Sequence, residues 1–565
     1  MKTALLLLAG WAALAAPAVL EIKLDQVGYL PAAAKIAVVA AAKPASIFFV
    51  RRSAGGAAVF HGTLGAPRAD ADSGDTVQLA DFSALRAGGD YYLDVPGVGR
   101  SWNFSIGNNV YRRAYYLAMR SYYGQRCGTA VDLGPEFPGY KHDACHLEGA
   151  WHASSGKTGA RASRQGWHDA GDYGRYIVNS GITTGTLLWT WEMFGARVSP
   201  VSLNLPESAG GTPAILSEIK WNLDWMLSMQ DDDGGVWPKQ SSEQFCGFIM
   251  PEKDKLVSYV IGSGKDPYKS SCATSDFAAV MAAAARVFRP FDRAYAGRCL
   301  AAARKAWAWV ELHPNAIFRN PAGVNTGEYG DADCSDERLW AAAELWRTTG
   351  EAPFETYFLA HYTEFHLGAT APPEGWNKVS NMALWTYALG GGKNAAALAS
   401  IRRESAAAAD QIVERTAANG YRVSLQPGDY VWGSNGVVAN YGMQLLVADA
   451  LHPDARYRAA ALDNLHYLLG RNTFSLSFVT WVGEHPYRHP HHRPSGGDTN
   501  PEPWPGLLSG GPNRGRQDAA VAKLPSDLPP AKVYVDDEAS YSTNEIAINW
   551  NAPLVFLLAA ALPAR

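Results

Sequence analysis

The chain has 565 residues, 47% of them from the set AVILMFWYC, 18% charged, and a formal net charge of −4. That is too apolar for intrinsic disorder and long enough for up to about four domains. With 50 Lys and Arg against 54 Asp and Glu, no overall basic field exists to hold nucleic acid or an acidic membrane face, so a neutral or soluble partner is favoured and a monomer is expected.

The opening MKTALLLLAGWAALAAPA combines one Lys, an apolar run from Ala4 to Leu14 and small residues at Ala16 and Ala18. This is the pattern of a secretory signal peptide over residues 1–18, and its apolar run is too short for a membrane span. No later stretch reaches 18 uninterrupted apolar residues. The mature chain is therefore expected to be soluble, and secreted or periplasmic.

Residues 19–106 have period two, in short runs such as Ile36 and Val38, Ile47 to Val50, Val77 and Leu79, Tyr91 to Val95 and Trp102 to Ile106. Gly and Pro clusters separate them. About seven short strands in this space predict an all-β immunoglobulin-like sandwich, without a disulfide because the segment has no Cys.

From residue 107 to 565 the period is helical. Leu216, Ile219, Leu223 and Leu227 share one face of a helix from Ala214 to Met229. Further helices are expected over Tyr111 to Tyr123, Ile182 to Phe194, Ser275 to Phe288, Arg293 to Leu312, Asp336 to Thr349, Phe354 to His366, Ala396 to Ala417, Val437 to Leu451, Tyr457 to Leu469 and Glu545 to Ala561. The set fits a double ring of inner and outer helices or an up-down stack. The closed ring is favoured because polar and aromatic residues lie in the connections, where one barrel end gathers them into a cleft.

Four constellations carry chemistry. Gly166-Trp167-His168-Asp169-Ala170-Gly171-Asp172 sets two carboxylates three residues apart among small residues, which suits water activation or cation binding; two solvated turn acids are the plain alternative. Glu545, after possible caps at Thr543 and Asn544, starts the last helix, where a helix terminus would lower its pKa and neighbouring Ile546, Ile548 and Trp550 would raise it. The stretch from His485 to Arg493 holds four His and two Arg; its prolines forbid helical metal spacing, so hydrogen bonding to substrate hydroxyls is favoured over metal. Cys127, Cys145, His146 and His168 have the softness and number of a closed zinc site, with a Cys127 to Cys145 disulfide equally open from the residues alone.

GWHDAGDYGRYIVNSG, YVWGSNGVVANYGM, YLLGRN, HPHHRPS, PWPGLLSGGPN and NEIAINWNAP resemble, in order, the glycoside hydrolase family 9 cellulases. LEIKLDQVGYLP resembles the start of the immunoglobulin-like module found in one branch of that family. The resemblance implies an (α/α)6 barrel that cleaves β-1,4-glucosidic bonds in cellulose or a related β-glucan with inversion. Position by position it implies Asp172 as general base, Asp169 as its partner on the attacking water, and Glu545 as general acid. His491, Arg493, Trp432, Tyr329 and Tyr541 are then candidates for substrate contact, with Trp237 as a further subsite aromatic. Cys127, Cys145, His146 and His168 match the structural zinc ligands of the branch with the module. Asp331, Asp333, Asp336 and Glu337 lie near where relatives bind calcium, although a helix N-cap with first-turn acids explains the last two equally well. Trp550 stands where many relatives carry Tyr, and Trp481 replaces a small Gly, which would narrow one end of the cleft and weigh against endo action. The alternatives are an exo-acting β-glucosidase or β-glucosaminidase with the same chemistry, and a non-catalytic carbohydrate-binding protein, which the presence of all three acids disfavours.

Overall fold

The computed structural model describes residues 17–208, 210–369 and 373–564. Most of the expected leader therefore lies outside the described residues. The N-terminal strands form two sheets. One is four-stranded, in the order Ile22–Lys23, Ile36–Val39, Thr76–Asp81, Arg68–Ala69; the other is five-stranded, in the order Gly28–Tyr29, Gly99–Ile106, Gly89–Val95, Ile47–Arg52, Ala58–Thr63. Alternation decides which side chains enter: Phe48 and Val50 on one strand, and Tyr91, Leu93 and Val95 on its antiparallel neighbour, point into a core shared with Ile22, Tyr29 and Phe104.

Twelve helices of ten residues or more follow among the described residues. Six of them close a ring: Ile177–Val198, Ser271–Phe288, Ser335–Thr349, Ser380–Leu389, Ser434–Leu451 and Ile548–Ala561 each pack on the next, and the last packs on the first. The other six alternate with them in the chain and lie outside. Composition explains the division. Ser271–Phe288 is buried on nearly every side and carries Ala278, Ala279 and Ala282 to Ala285, which let neighbouring backbones approach. The outer helix Arg293–Leu312 instead buries a single stripe of Ala296, Cys299, Ala303, Ala306 and Val310. Ser270 and Asp292 cap these two helices by accepting from the backbone N–H of Ala273 and Tyr295. No helix among the described residues is long and apolar enough to cross a membrane.

Two helix expectations change. Ser380–Leu389 is an inner helix that periodicity did not reveal, because it is buried almost all round and shows no polar stripe. The last helix begins at Ile548, with Ala547 as its N-cap, so Glu545 lies outside it in extended backbone.

The sandwich is held to the barrel by buried polar contacts. Asp25 is fully buried; its Oδ1 accepts from the backbone N–H of Val27 and its Oδ2 from Tyr111 Oη at 3.1 Å, with His466 Nδ1 at 2.8 Å. The Gln26 N–H donates to the carbonyl of Leu469 at 3.0 Å.

Candidate active site

Three loops meet at one end of the barrel. Ala170 bridges Ala547 in antiparallel fashion, Glu545 bridges His491, and Ser509 bridges Ile546. The Arg493 N–H donates to the Gly171 carbonyl at 3.1 Å, and the Ile548 N–H to the Asp169 carbonyl at 2.9 Å. Segments more than 300 residues apart in the chain are thus tied backbone to backbone. Two glycines permit the approach: a Cβ on Gly171 would lie 2.2 Å from the His491 carbonyl oxygen, and one on Gly174 would lie 2.3 Å from Tyr176 Oη.

The loops frame a cleft of about 380 Å³ that contains Asp169, Asp172 and Glu545 together. Its apolar walls are Tyr176, Phe245, Tyr329, Trp376, Trp432 and Trp550. Asp169 is buried; Asn179 Nδ2 donates to its Oδ1 at 2.7 Å, and Tyr329 Oη donates to its Oδ2 at 2.5 Å. Asp172 Oδ2 accepts from the Gly174 N–H and from Tyr176 Oη, both at 3.0 Å.

Burial, reinforced by the charge of Asp172, pushes Asp169 up to about 8 against the pull of Tyr329 and Asn179. Glu545 is half-buried in the cleft wall. Burial first, then Asp172 and Asp169, hold its carboxyl well above the usual range; Arg493 and a hydrogen bond from Trp432 oppose them without winning. The competition left open by the sequence is decided for desolvation because Glu545 is off the helix. The site therefore couples two carboxyls in one tight turn with a third, whose proton is held more tightly than usual, in one cleft lined by aromatic rings.

The other expected contacts divide. Trp432 is 41% exposed and lines the cleft, with Tyr541 beside it at 5.2 Å between ring centroids. Tyr329 lines the cleft too, but its hydroxyl is spent on Asp169. His491 packs its ring on Phe248 and Tyr541 and has Nδ1 2.7 Å from the Glu538 carbonyl, and burial lowers its pKa. Arg493 is buried, and its Nε and Nη1 donate to the carbonyls of Cys246 and Gly171, so it braces the loop crossing. Trp237 is not a subsite residue: it is buried, packs on Trp151 at 4.5 Å and donates to the Ser155 carbonyl. Trp481 does not narrow the cleft either; it lies against Phe137 and Tyr140 and donates to the Pro503 carbonyl at 2.6 Å. Tyr176, Asn179 and Trp376 were missed. The first two follow Asp172 by four and seven residues, and only that spacing hinted at them.

Cys127, Cys145, His146 and His168 converge, their ligand atoms all within 4.8 Å of one another. Both thiols are free, so they are not the disulfide that was the alternative; Cys272 and Cys334 form one instead. Cys127 Sγ is 3.9 Å from His146 Nδ1, and Cys145 Sγ is 3.7 Å from His168 Nε2. Tetrahedral zinc with its usual bond lengths sets S and N about 3.6 Å apart, so these residues fit a metal with little movement. Asp254 backs His146 Nε2 at 3.3 Å, the outer carboxylate such ligands commonly have. The acids expected near calcium are used differently. Asp331 and Asp333 accept from the backbone N–H groups two residues ahead, and Asp336 from that of Val379. Glu337 lies beside Asp336 and the buried Asp276, and burial with these neighbouring charges pushes its carboxyl up; among the described residues the group whose ligand atoms converge as for a metal is the Cys/His cluster.

Residues 111–558 match the model of glycosyl hydrolase family 9, and residues 19–100 match that of the cellulase N-terminal ig-like domain. Endoglucanase D of Acetivibrio thermocellus is 40% identical over 544 residues, covering 95% of this chain and 83% of that protein. A xyloglucan-specific endo-beta-1,4-glucanase of Bacteroides ovatus is 36% identical over 570 residues, covering 96% and 94%. The crystal structure of a Zn-binding triple mutant of the family 9 endoglucanase J30 superposes with a TM-score of 0.88 at 37% identity, over 95% of this chain and 100% of that one. A cleft at one end of a ring of six inner helices, a match over most of the length and relatives aligned nearly end to end agree: this chain belongs to glycosyl hydrolase family 9 and carries the family's N-terminal ig-like domain.

Proposed function

We propose that the chain is an inverting endo-β-1,4-glucanase that cleaves internal bonds of cellulose or a related β-glucan. The observation that carries this reading is one aromatic-walled cleft holding Asp169, Asp172 and Glu545. Inversion needs a proton donor on the leaving oxygen and a base on the opposite face of the sugar, with a water between them. Glu545, whose carboxyl burial and the neighbouring acids hold well above the usual range, is the acid. Asp172, reached by cleft solvent and held by Tyr176 and the Gly174 N–H, is the base. Asp169 takes the other side of the attacking water; its Oδ atoms are oriented by Asn179 and Tyr329. Aromatic faces such as Trp432 and Trp376 suit the apolar faces of glucose rings, and Tyr541, packed on Trp432, with His491 beside it, supplies further polar groups for hydroxyl contact.

Cys127, Cys145, His146 and His168 would hold a zinc ion. Its contribution there is structural: it closes the base of the loop that carries Asp169 and Asp172, since His168 is the residue before Asp169. The leader pattern and the Cys272–Cys334 disulfide support an exported, secreted or periplasmic enzyme.

The test is a product profile. Carboxymethylcellulose should lose viscosity rapidly, and NMR of a cello-oligosaccharide digest should first report the α-anomer. Release of monomer alone would reject the endo reading, and an initial β-anomer would reject inversion.

A further inference from the structure

Lys239 is 1% exposed, yet it brings its amino group against Gly327 and Tyr176, two residues of the cleft lining. Its Nζ reaches Asn320 Oδ1 at 3.0 Å, the Thr326 carbonyl at 3.2 Å, Thr326 Oγ1 at 3.0 Å and the Gly327 carbonyl at 2.7 Å. All four acceptors lie on the connection between Arg293–Leu312 and Ser335–Thr349. Two residues beyond Gly327 is Tyr329, which donates to Asp169 from a left-handed backbone with φ of 47°. A non-glycine residue in that region stays there only if its surroundings hold it.

The same lysine touches the other half of the site. Lys239 is the antiparallel cross-strand partner of Tyr176, and its Nζ lies 5.3 Å from the Tyr176 ring centroid. Tyr176 Oη donates to Asp172. The charges that act on Lys239 are Asp172 and Glu328; those that share the cleft side of Asp172 are Asp169, Glu545 and the His491 ring.

We propose that Lys239 is the positioning residue of this site: one buried ammonium fixes the loop that brings Tyr329 to Asp169 and stands as counter-charge behind Asp172. A buried ammonium is kept only where its donors are satisfied, and this one is satisfied by the loop that leads to Tyr329 while its charge acts on Asp172. Burial draws Lys239 down to about 7, so it is charged across the acid range in which a carboxylate base loses activity.

The inference rests on Asp169 and Asp172 being the water-activating pair, and the test separates the two. In full-length enzyme Lys239→Met should lower kcat at least about tenfold while KM stays within about threefold, and should move the acid limb of kcat/KM to higher pH by about one unit. Lys239→Arg keeps the charge and should leave that limb in place. Wild-type kcat and limb in Lys239→Met, or a lower kcat with an unmoved limb, would overturn the proposal while an inactive Asp172→Asn left the reading of the site intact. An active Asp172→Asn would instead overturn that reading. If Lys239→Met is not recovered folded, Asn320→Ala and Lys239→Arg decide, because both keep the charge and loosen the loop: kcat should fall with the limb unmoved, and wild-type kcat in both would refute the role.

Discussion

Replacing Asp169 by Asn should inactivate the enzyme and stabilise it, with a pH signature that identifies the cause. Burial and the neighbouring Asp172 raise this carboxyl from 3.8 to about 8. At pH 7 the folded chain therefore retains a proton that the unfolded chain has released, at a cost of about 4 kcal/mol, three pH units at about 1.4 kcal/mol each. For a carboxyl raised in this way, the stability it contributes is complete below about pH 4 and is lost as pH climbs towards about 8. Asn carries no such penalty and retains the shape: its Oδ1 still accepts from Asn179, and its Nδ2 can donate to Tyr329 Oη. The variant should match the wild type near pH 4 and exceed it by about 4 kcal/mol at pH 7. With about 2 cal/mol/K of unfolding entropy per residue over a barrel of roughly 450 residues, this is on the order of 4 °C in Tm. Thermal melts of both proteins at pH 4.5 and pH 7, beside hydrolysis rates, check it. A shift in Tm that is the same at both pH values, or a variant less stable at pH 7, would refute the electrostatic account.

Glu545→Gln should lower turnover of glucan by about 10²- to 10⁴-fold and recover on aryl glycosides whose leaving groups need no proton, whereas Asp172→Asn should not recover; equal behaviour of the two would remove the division of roles. Purified enzyme should contain one zinc per chain, and chelation should lower Tm before it lowers the rate at moderate temperature; absence of bound metal, or a Cys127–Cys145 bridge found by peptide mapping, would reject the cluster as a metal site. His466→Ala leaves the fully buried Asp25 with one strong partner fewer and should cost about 3 kcal/mol, while Arg456→Ala, which breaks an exposed pair with Asp410, should cost under about 1 kcal/mol. Similar melting temperatures for these two variants would show that the ig-like domain is not locked through Asp25.

What could be read from the chain follows from how each feature is encoded. Strands with one face in the sandwich core alternate, and outer helices such as Arg293–Leu312 carry one apolar stripe, so both were legible. Ser380–Leu389 was not, because a helix enclosed on all sides has no polar face to set a period. Asp169, Asp172 and Glu545 stood out through the short motifs around them, but the upward shifts of Asp169 and Glu545 did not. They depend on Glu545 leaving the helix and on loops from three parts of the chain excluding water, which are long-range facts. Lys239 carried no signal at all, since its hydrogen-bond acceptors lie more than 80 residues away in the chain.

The two aromatic departures, of which Trp481 weighed against an open cleft and Trp550 removes a hydroxyl near the acid, are absorbed by different means. Trp481 lies outside the cleft lining, on Phe137 and Tyr140, with its left-handed backbone at φ of 64° offset by the bond to Pro503. Trp550 does line the cleft, and its bulk needs space beside Glu545. Gly433 and Gly436 provide it: a Cβ on either would lie 2.6 or 2.5 Å from the indole. Any side chain at those glycines would collide with the ring. The glycines of the Trp-Gly-Ser-Asn-Gly stretch and Trp550, more than 110 residues apart, therefore work as one unit. The wider ring facing the cleft here thus accompanies a notch behind it, formed where the chain has no side chain at residues 433 and 436.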